Sequence, residues 1–272
     1  MTGFKRAVSV VTGAASGIGR EFAVELGRRR GRVVVADIDE EGLAETAELV
    51  RRAQGEAHVV RCDVRHSAEL QRLADATEAW AGTPDLAVLN AGILVAGPLA
   101  SADADAIDRL IAVNVTGVVQ GCRIFAGPML ARGRGSLLNV GSVAGLAPIP
   151  QLSAYAATKA AVVGLSKSLH AELRPGGVGV TVLCPSFTRT GIVDHASTEG
   201  DALQGTMHNL GQRVLERAGA DAHDVIRVGL AAAARGKLYA IDSVHARLAW
   251  HLERAVPRVT NRLASLASRR IS

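Results

Sequence analysis

The sequence predicts an α/β protein: a doubly wound parallel sheet (Rossmann fold) in a single domain, followed by a C-terminal helical tail. Three observations predict this class. Aliphatic runs typical of buried strands alternate with helix-like segments along most of the chain. A glycine-rich turn joins the first strand to the first helix. The chain has 272 residues, 48% of them hydrophobic but only 3% aromatic, which suits close packing of helices on a parallel sheet.

The alternation gives seven strands with helices between them, and right-handed crossovers then cover both faces of the sheet. Strands are predicted at residues 7–11, 32–37, 57–61, 85–90, 136–140, 180–184 and 237–241. Helices are predicted at about 20–30, 40–54, 67–80, 105–132, 154–173 and 221–234. We expect Ser67 to cap the third helix and the fourth helix to bend near Gly117. The domain therefore spans residues 1–242, and the tail spans residues 243–272.

The turn between the first strand and the first helix has the sequence TGAASGIG, residues 12–19. Gly13 permits the tight turn, Gly17 lets the backbone approach a pyrophosphate, and Gly19 allows close packing of the helix on the sheet. The backbone amides at the helix N-terminus then face the anion. A plain turn is the alternative, but the order strand, turn, helix favours a phosphate-binding loop.

Asp37 ends the second strand, where a carboxylate can accept hydrogen bonds from an adenosine ribose diol. The same charge repels a 2′-phosphate, and neither Ile38 nor Asp39 supplies a cation to attract one. NAD is therefore favoured over NADP as the cofactor.

The third and fourth strands also end in residues that suit a ligand. Asp63 follows the third strand and is placed to meet an adenine edge, with a solvated turn acid as the alternative. The fourth strand ends in Asn90-Ala91-Gly92, and small residues at a strand's carboxyl end permit close approach to a ligand.

A phenol and an ammonium lie four residues apart on the helix predicted at 154–173. This spacing puts Tyr155 and Lys159 on one helical face, one turn apart. A nearby lysine favours the phenolate by charge, so we expect the pKa of Tyr155 to fall below its usual value of about 10. A phenol tuned in this way can exchange a proton with an alcohol or carbonyl oxygen. An exposed surface pair is the alternative, and the small, apolar surroundings argue against it.

Two further polar residues are placed to join this pair. Ser142 lies at the end of the preceding strand, and the loop after it can fold the hydroxyl back beside Tyr155. Asn114 lies in the middle of a predicted helix, flanked by Val113 and Val115. A polar side chain in so apolar a segment is expected to face a site or an ordered water.

Three isolated cysteines, Cys62, Cys122 and Cys184, occur without a C-x-x-C pair, so neither a zinc site nor a disulfide framework is indicated. We predict no bound metal and a reducing, cytoplasmic compartment. The N-terminus does not resemble a signal peptide, and no apolar run reaches the roughly 18 residues of a membrane-spanning helix.

The net charge of +5 lies entirely in the tail. Residues 1–236 contain 24 Lys+Arg and 24 Asp+Glu, whereas residues 237–272 contain seven basic and two acidic residues. The basic composition is therefore no evidence for nucleic acid binding. Residues 244–268 place apolar side chains at helical spacing, interrupted by Pro257. Such a segment packs on its own domain or on a dimer mate, or it lies on an anionic membrane surface.

Together these motifs resemble the short-chain dehydrogenase/reductase family over about residues 5–242. The turn at 12–19 is similar to the family's T-G-x-x-x-G-I-G, and Asn90-Ala91-Gly92 is similar to its N-A-G element. The family's Asn–Ser–Tyr–Lys tetrad is matched in order and spacing by Asn114, Ser142, Tyr155 and Lys159.

The resemblance implies a role for each residue of the tetrad. Tyr155 would be the acid and base, and Ser142 would hold the substrate oxygen. Lys159 would lower the pKa of Tyr155 and bind the nicotinamide ribose. Asn114 would hold a water molecule in a proton relay.

The resemblance also implies the surroundings of an NAD cofactor. Asp37 would select NAD, Asp63 and Val64 would contact the adenine, and Asn90 would contact the adjoining ribose. The full expected set is Gly13, Ser16, Gly17, Ile18, Gly19, Asp37, Asp63, Val64, Asn90, Ala91, Gly92, Tyr155, Lys159, Pro185, Thr188 and Thr190.

The sequence departs from the family pattern after the sixth strand, where Pro185 and Thr188 would border the nicotinamide and Thr190 its carboxamide and phosphates. Pro185-Ser186 stands where the family usually has Pro-Gly, and a serine restricts this loop. Thr188 replaces the usual valine or isoleucine, which a backbone contact would survive. The C-terminus also departs, because Asp242 leads into a basic tail rather than a glycine-rich turn used in tetramer packing.

The predicted function is therefore an NAD-dependent oxidoreductase that interconverts a small, hydrophobic secondary alcohol and its ketone, as a homodimer or homotetramer. An NADPH-dependent carbonyl reductase is one alternative, and Asp37 argues against it. A cofactor-sensing scaffold without turnover is another, and the intact tetrad argues against that. Residues 187–219 carry no readable chemistry, so the substrate's identity and the reaction's direction stay open.

Overall fold

The computed structural model of the chain describes residues 3–186, 197–198 and 221–268. The strands in this part are β1 (Val8–Thr12), β2 (Arg32–Asp37), β3 (Glu56–Arg61), β4 (Leu86–Leu89), β5 (Val95–Ala96), β6 (Gly135–Val140), β7 (Val178–Cys184), β8 (Ser197–Thr198) and β9 (Tyr239–Ile241). The helices are α1 (Gly17–Arg28), α2 (Glu40–Arg52), α3 (Ser67–Ala81), α4 (Ala104–Ile111), α5 (Val118–Arg132), α6 (Ser153–Leu173), α7 (Ala222–Ala233), α8 (Val244–Ala255) and α9 (Pro257–Ser268).

Seven of these strands form one parallel sheet in the order β3-β2-β1-β4-β6-β7-β9. β1 pairs with β2 on one side and with β4 on the other, so that Val10 lies opposite both Val34 and Ala87. The chain reverses its direction of winding between these two neighbours. In such a sheet the crevice at the carboxyl ends of β1 and β4 is the binding site. The predicted doubly wound Rossmann fold is confirmed. The short strands β5 and β8 form a separate parallel pair.

Alternate strand residues point to opposite faces of the sheet, and each face is covered by helices. One face packs against α3, α5 and α6 through Val10, Val34, Ala87, Leu137 and Val180. The other packs against α1, α2 and α7 through Val11, Val33, Val35, Leu86, Val88, Leu138 and Leu183. Burial on both faces explains why these strands appear in the sequence as continuous aliphatic runs.

The long helix predicted at 105–132 is interrupted where the bend was expected. A π-helical turn, Ala112–Gly117, separates α4 from α5. A Cβ atom on Gly117 would lie 3.0 Å from Cγ2 of Val64, so a glycine lets the helix approach the loop after β3 closely. The π turn also places Asn114 in the interior.

The stretch Ala104–Arg132 is long and apolar enough by composition to cross a membrane, although no segment was expected to be. Half of the most apolar window is buried within the protein. Cys122, Phe125 and Met129 are part of the core beneath the sheet. The apolar composition therefore reflects a core helix.

Most predicted elements are confirmed, with ends shifted by one to three residues. The predicted cap of α3 is wrong: Ser67 is the first helical residue, and His66 occupies the N-cap position without a side-chain hydrogen bond. The last strand begins at Tyr239 rather than at Lys237.

The tail forms two helices that meet where Pro257 was expected to interrupt the segment. Ser243 caps α8, since its hydroxyl accepts a hydrogen bond from Ala246 N at 3.1 Å. The Trp250 ring packs on Tyr239 at the end of the sheet, with ring centroids 4.6 Å apart. α8 is thus anchored on the domain. The division of the chain at residue 242 stays a prediction.

Candidate active site

The loop after β1 has the backbone that a phosphate-binding turn needs. Gly13 has a φ of +66°, a left-handed conformation that disfavours any side chain. A Cβ atom on Gly19 would lie 2.0 Å from the carbonyl oxygen of Gly13, so α1 approaches the loop too closely for a side chain. Gly17 is the first residue of α1. This backbone cradle at a helix N-terminus fits a pyrophosphate.

Ser16 and Ile18 complete the loop. Ser16 occupies the N-cap position of α1 with an extended backbone, and the helix does not use its exposed hydroxyl as a cap. Ile18 is half-buried and packs against the core. Their predicted contacts with a cofactor stay predictions.

Asn90 fixes the glycine loop to the end of β4. Its side-chain NH2 donates to the carbonyl oxygens of Thr12 and Gly13, both at 3.0 Å. The Thr12 hydroxyl accepts the backbone N–H groups of Asn90 at 3.1 Å and Ala91 at 3.2 Å. Of the polar atoms in the Asn90 side chain, Oδ1 is left to meet the predicted ribose.

Asp37 lies at the end of β2, at the same edge of the sheet. Its Oδ2 accepts a hydrogen bond from Ala15 N at 3.1 Å, inside the glycine loop. Its Oδ1 accepts hydrogen bonds from Ile38 N at 2.7 Å and Asp39 N at 3.3 Å. A carboxylate has about four lone-pair sites, so it retains limited acceptor capacity for a ribose. Its carboxylate lies beside the glycine loop, and its predicted contact with a ribose stays a prediction.

Asp63 is buried, with 8% of its surface exposed, so the alternative of a solvated turn acid is wrong. The Arg65 guanidinium grips the carboxylate: Nε lies 3.0 Å from both oxygens, and a second nitrogen lies 2.6 Å from Oδ2. This hydrogen-bonded pairing holds the pKa of Asp63 below its usual value. Any adenine contact would therefore involve a neutralised ion pair. Val64 and Ala91 line a small cleft together with Thr12.

Tyr155 and Lys159 are buried one turn apart on α6, with 9% and 4% of their surfaces exposed. The alternative of an exposed surface pair is therefore wrong. The Lys159 ammonium lies 5.6 Å from the centroid of the phenol ring and donates a hydrogen bond to Val140 O at 3.0 Å. A Cβ atom on Gly92 would lie 3.3 Å from this ammonium. The end of β4 and α6 therefore meet at the lysine.

In the protein without a bound cofactor, burial has a larger effect on the pKa of the Tyr155 phenol than the charge of Lys159. Burial raises the pKa of Tyr155 to about 12, while its hydrogen bond with the Ser142 hydroxyl acts in the opposite direction. The expectation that Lys159 lowers this pKa below 10 is not met. The free energy needed to remove a phenolate from water is larger than the stabilisation that the Lys159 charge provides.

Burial also lowers the pKa of Lys159, from 10.5 to about 8. Among the described residues no carboxylate forms an ion pair with this ammonium. A buried cation without a carboxylate partner is costly and marks a functional position.

Ser142 stands beside the phenol because the chain turns directly after β6. Its hydroxyl accepts a hydrogen bond from Ala144 N at 3.1 Å and caps a short 3-10 turn, Val143–Gly145. The same hydroxyl is close enough to the Tyr155 phenol to lower its pKa. The predicted folding of this loop back onto the phenol is confirmed.

Asn114 is fully buried, and its side chain joins three segments of the site. Its Oδ1 accepts a hydrogen bond from Ile93 N at 2.9 Å, and its Nδ2 donates to Ile93 O at 3.0 Å. Nδ2 also donates to the Thr158 hydroxyl at 3.1 Å, which in turn donates to Tyr155 O at 2.7 Å. The side chain is thus occupied by protein partners. The predicted relay water stays a prediction.

The loop after β7 is held from two sides. The backbone N–H of Val143 donates to Pro185 O at 3.0 Å. Asp242 accepts hydrogen bonds from Ser186 N at 2.9 Å and from the Ser186 hydroxyl at 2.5 Å. The predicted cofactor residues Thr188 and Thr190 lie outside the described residues.

The three cysteines are buried free thiols. Cys184 lies beside the Ser142 backbone, and burial raises the pKa of its thiol to about 12. Across residues 3–186 and 221–268, no cluster of three or more His, Cys, Asp and Glu side chains could hold a metal ion.

Apolar side chains form the described wall beside Tyr155. Ile93 and Leu94 follow β4, while Ile149 and Leu152 precede α6, and all four are partly buried against the cluster that contains the phenol. A shallow surface depression is lined by β5, the residues that follow it, α4 and the first residues of α6.

The fold and the site together define a dinucleotide-binding oxidoreductase. A sequence profile described as short chain dehydrogenase matches residues 7–200. The chain belongs to the short-chain dehydrogenase/reductase family.

One relative is a probable oxidoreductase named EphD from Mycobacterium tuberculosis, which is 42% identical over 197 residues. The match covers 72% of this chain but only 33% of that protein, so this chain spans about a third of the curated relatives it matches first. The identity shows kinship in the dehydrogenase domain alone.

Two solved structures share the fold. A short-chain dehydrogenase/reductase from Burkholderia phymatum, in complex with NAD, has a TM-score of 0.87 and 34% identity, covering 95% of this chain and 96% of that one. A short-chain dehydrogenase from Sphingobium yanoikuyae, in complex with NADPH, has a TM-score of 0.77 and 27% identity, covering 92% and 93%. Structural neighbours therefore bind either nucleotide.

Sequence reasoning missed three residues that the structure brings to the site: Thr158, Arg65 and Asp242. Thr158 is a buried polar residue in an apolar helix, and the signal that singled out Asn114 applies to it equally. Arg65 and Asp242 each follow a strand at the carboxyl edge of the sheet, which is where polar residues meet a ligand.

Proposed function

We propose that the protein is an NAD-dependent oxidoreductase that interconverts a hydrophobic secondary alcohol and its ketone. One observation carries the proposal. The buried Tyr155 phenol lies beside Ser142, with its ring centroid 5.6 Å from the buried Lys159 ammonium, at the carboxyl ends of the strands that hold the glycine loop. When bound, the nicotinamide supplies the hydride acceptor or donor.

The residues of this site handle the proton and the substrate oxygen. In ketone reduction the Tyr155 hydroxyl donates its proton to the forming alkoxide, and its raised pKa keeps the phenol protonated at neutral pH. In alcohol oxidation the phenol must first lose this proton. The Ser142 hydroxyl holds the substrate oxygen beside the phenol, and the Lys159 charge stabilises negative charge that develops there.

The dinucleotide fits residues that this chain provides. The cradle of Gly13 and Gly19 would receive the pyrophosphate, and the Asp37 carboxylate would face the adenosine ribose. NAD is favoured over NADP because Asp37 repels a 2′-phosphate.

The Arg20 guanidinium also stands close to this loop and donates a hydrogen bond to Ala15 O at 2.5 Å. Arg20 is already bound, with Nε donating to the Thr46 hydroxyl and a second nitrogen paired with Glu45 at 2.8 Å. Its charge is therefore partly neutralised, which also favours NAD.

The apolar wall of Ile93, Leu94, Ile149 and Leu152 supports a hydrophobic substrate. Such a wall offers no partner for a charged or strongly polar group, so it favours aliphatic or aromatic groups on the carbinol carbon.

We further propose a cytoplasmic homodimer or homotetramer. Support for self-association comes from exposed apolar side chains on the outer face of α4 and α5, where Ile111 and Val119 are 44% and 38% exposed. Sedimentation equilibrium tests the assembly, and a purely monomeric protein would contradict it.

The test of the activity is a series of secondary alcohols of increasing chain length, assayed with NAD and separately with NADP. We expect NADH formation that improves with chain length and a preference for NAD of at least tenfold. Tyr155→Phe should abolish turnover while NAD still binds, and Tyr239→Phe is the matched control that should retain it. Efficient turnover with NADP alone, or activity in Tyr155→Phe, would contradict the proposal.

A further inference from the structure

The two tail helices expose a row of large aliphatic side chains, here named the tail stripe. Each of its members is between 41% and 74% exposed, although each is a large aliphatic residue. The tail stripe consists of Val244, Leu248, Leu252, Val256, Val259, Leu263 and Leu266. Members follow one another at intervals of three or four residues, so each helix presents them on one face.

The tail stripe is not the surface by which the tail packs on the domain. α8 buries Ala246 and sets Trp250 against Tyr239. Ala246 and Trp250 lie well around the helix from Leu248 and Leu252, because successive residues are about 100° apart. The contact of α9 with α8 includes a hydrogen bond from the Thr260 hydroxyl to the Glu253 carboxylate. Folding of the described chain thus leaves this apolar surface uncovered.

The tail stripe is accompanied by positive charge. Residues 244–268 contain four arginines and one acid, Glu253, which already accepts the hydrogen bond from Thr260. Arg258 and Arg262 are exposed and form no ion pair with any described acidic side chain. Two more arginines follow at 269 and 270 in the sequence, whereas residues 1–236 are balanced in charge.

We propose that the tail stripe binds an anionic membrane surface, with α8 and α9 lying in the plane of the interface. An exposed aliphatic face flanked by unpaired arginines matches both parts of such a surface: acyl chains below and anionic headgroups around it. A second copy of the chain fits less well, because a symmetric contact through this face would bring like-charged arginines together, and the one acid of residues 244–268, Glu253, is already bound to Thr260. The proposal does not depend on the activity of the domain.

The experiment uses the full 272-residue chain and sedimentation with phosphatidylcholine vesicles, with and without phosphatidylserine. We expect binding to the vesicles that contain phosphatidylserine, weaker binding to phosphatidylcholine alone, and a loss of binding as salt is raised. Replacing Leu263 and Leu266 together by serine should lower the partition coefficient at least about tenfold. Arg258→Gln and Arg262→Gln should each lower it about fivefold.

Matched control variants distinguish binding by the tail stripe from nonspecific binding of the protein to vesicles. Leu49→Ser with Leu130→Ser changes two exposed leucines outside the tail, which are 37% and 39% exposed. Arg52→Gln with Arg72→Gln changes two exposed arginines, on α2 and α3. Both control pairs should bind vesicles as the unaltered chain does.

Three outcomes would overturn the proposal. The first is no sedimentation of the unaltered chain with phosphatidylserine vesicles. The second is equal loss in the control pairs. The third is a change of oligomeric state in the Leu263→Ser, Leu266→Ser variant, measured without vesicles, in a protein whose unaltered chain does not bind vesicles. That result would show that a second copy of the chain covers the tail stripe.

Discussion

Both carboxylate oxygens of Asp242 accept hydrogen bonds from Ser186. Oδ1 accepts the backbone N–H of Ser186 at 2.9 Å, and Oδ2 accepts the Ser186 hydroxyl at 2.5 Å. On the opposite side the Val143 N–H donates to Pro185 O. The segment 185–186 is therefore held between the end of β9 and the loop that carries Ser142. Where the resemblance led us to expect Pro-Gly, the serine here provides the hydroxyl for this clamp.

Loss of the clamp should weaken cofactor binding. We expect Asp242→Ala to raise the KM for NAD roughly tenfold, because hydrogen bonds to a charged group contribute about 1.5–3 kcal/mol. Asp242→Asn keeps one acceptor and should restore part of the affinity, while kcat at saturating NAD changes less than KM in both variants. Steady-state kinetics with NAD as the varied substrate measures the split.

An acid with a purely structural role provides the control for Asp242. Asp221 caps α7 by accepting the His223 N–H at 2.9 Å. Asp221→Ala should lower thermal stability and leave the KM for NAD unchanged. If Asp242→Ala behaves in the same way, the clamp does not position the cofactor loop.

In the protein without bound nucleotide, the Tyr155 phenol should lose its proton only at high pH. Burial raises the pKa of Tyr155 to about 12 and also raises that of Tyr239, and these are the only two tyrosines. We therefore expect almost no phenolate absorbance from Tyr155 below about pH 11. Adding NAD should lower the Tyr155 midpoint by at least about one unit, since the oxidised nicotinamide is positively charged. Ultraviolet difference titration of the protein and of Tyr155→Phe assigns the transition.

An early titration would reverse the electrostatic argument. A Tyr155 midpoint below about 9 without nucleotide would show that the Lys159 charge outweighs burial. In that case alcohol oxidation would need no help from the bound cofactor to ionise the phenol.

Lys159 should cost the protein stability at neutral pH. Its shift from 10.5 to about 8 amounts to roughly 3 kcal/mol. Lys159→Met removes this cost but leaves Val140 O without its hydrogen bond, so we expect a net gain of about 1–2 kcal/mol at pH 7 together with loss of turnover. Urea unfolding measures the free energy.

The gain in unfolding free energy of Lys159→Met should decrease as pH rises. Below about pH 8 the lysine is protonated in both states, and the full penalty applies. Between the folded value of about 8 and the unfolded value of 10.5 the unfolded chain binds more protons, so the unaltered protein becomes more stable as pH rises. The advantage of Lys159→Met should therefore shrink by up to about 2 kcal/mol between pH 7 and pH 9.5. A constant advantage would contradict the shifted pKa. Lys167→Met, on the same helix, is the control.

The fold could be predicted because its signals are local. Each buried strand appears as an aliphatic run, and the glycine-rich composition of residues 12–19 predicts the first turn. Tyr155 and Lys159 could be paired because four residues on a helix fix their relation. Asn114 was singled out by its apolar neighbours, and the structure confirms its burial.

What the sequence could not show depends on contacts between distant segments. The clamp joins positions 186 and 242, and no local pattern links two residues 56 positions apart. The acidity of Tyr155 was predicted in the wrong direction because spacing reveals the nearby charge but not the amount of water excluded. Arg65 was missed because nothing in a turn sequence shows which way a guanidinium folds.

The close meeting of Gly92, Lys159 and Asn114 permits a single-methyl test of the site. A Cβ atom on Gly92 would lie 3.3 Å from both the Lys159 ammonium and Oδ1 of Asn114, so one of them must shift by a few tenths of an ångström. Since turnover depends on the placement of the ammonium, we expect Gly92→Ala to lower kcat about tenfold while NAD affinity changes less. The matched control is Gly164→Ala on α6, where a methyl group meets nothing within 4 Å. It should stabilise the helix by about 0.5–1 kcal/mol and leave kcat unchanged. Wild-type turnover in Gly92→Ala would mean that the position of Lys159 does not limit the reaction.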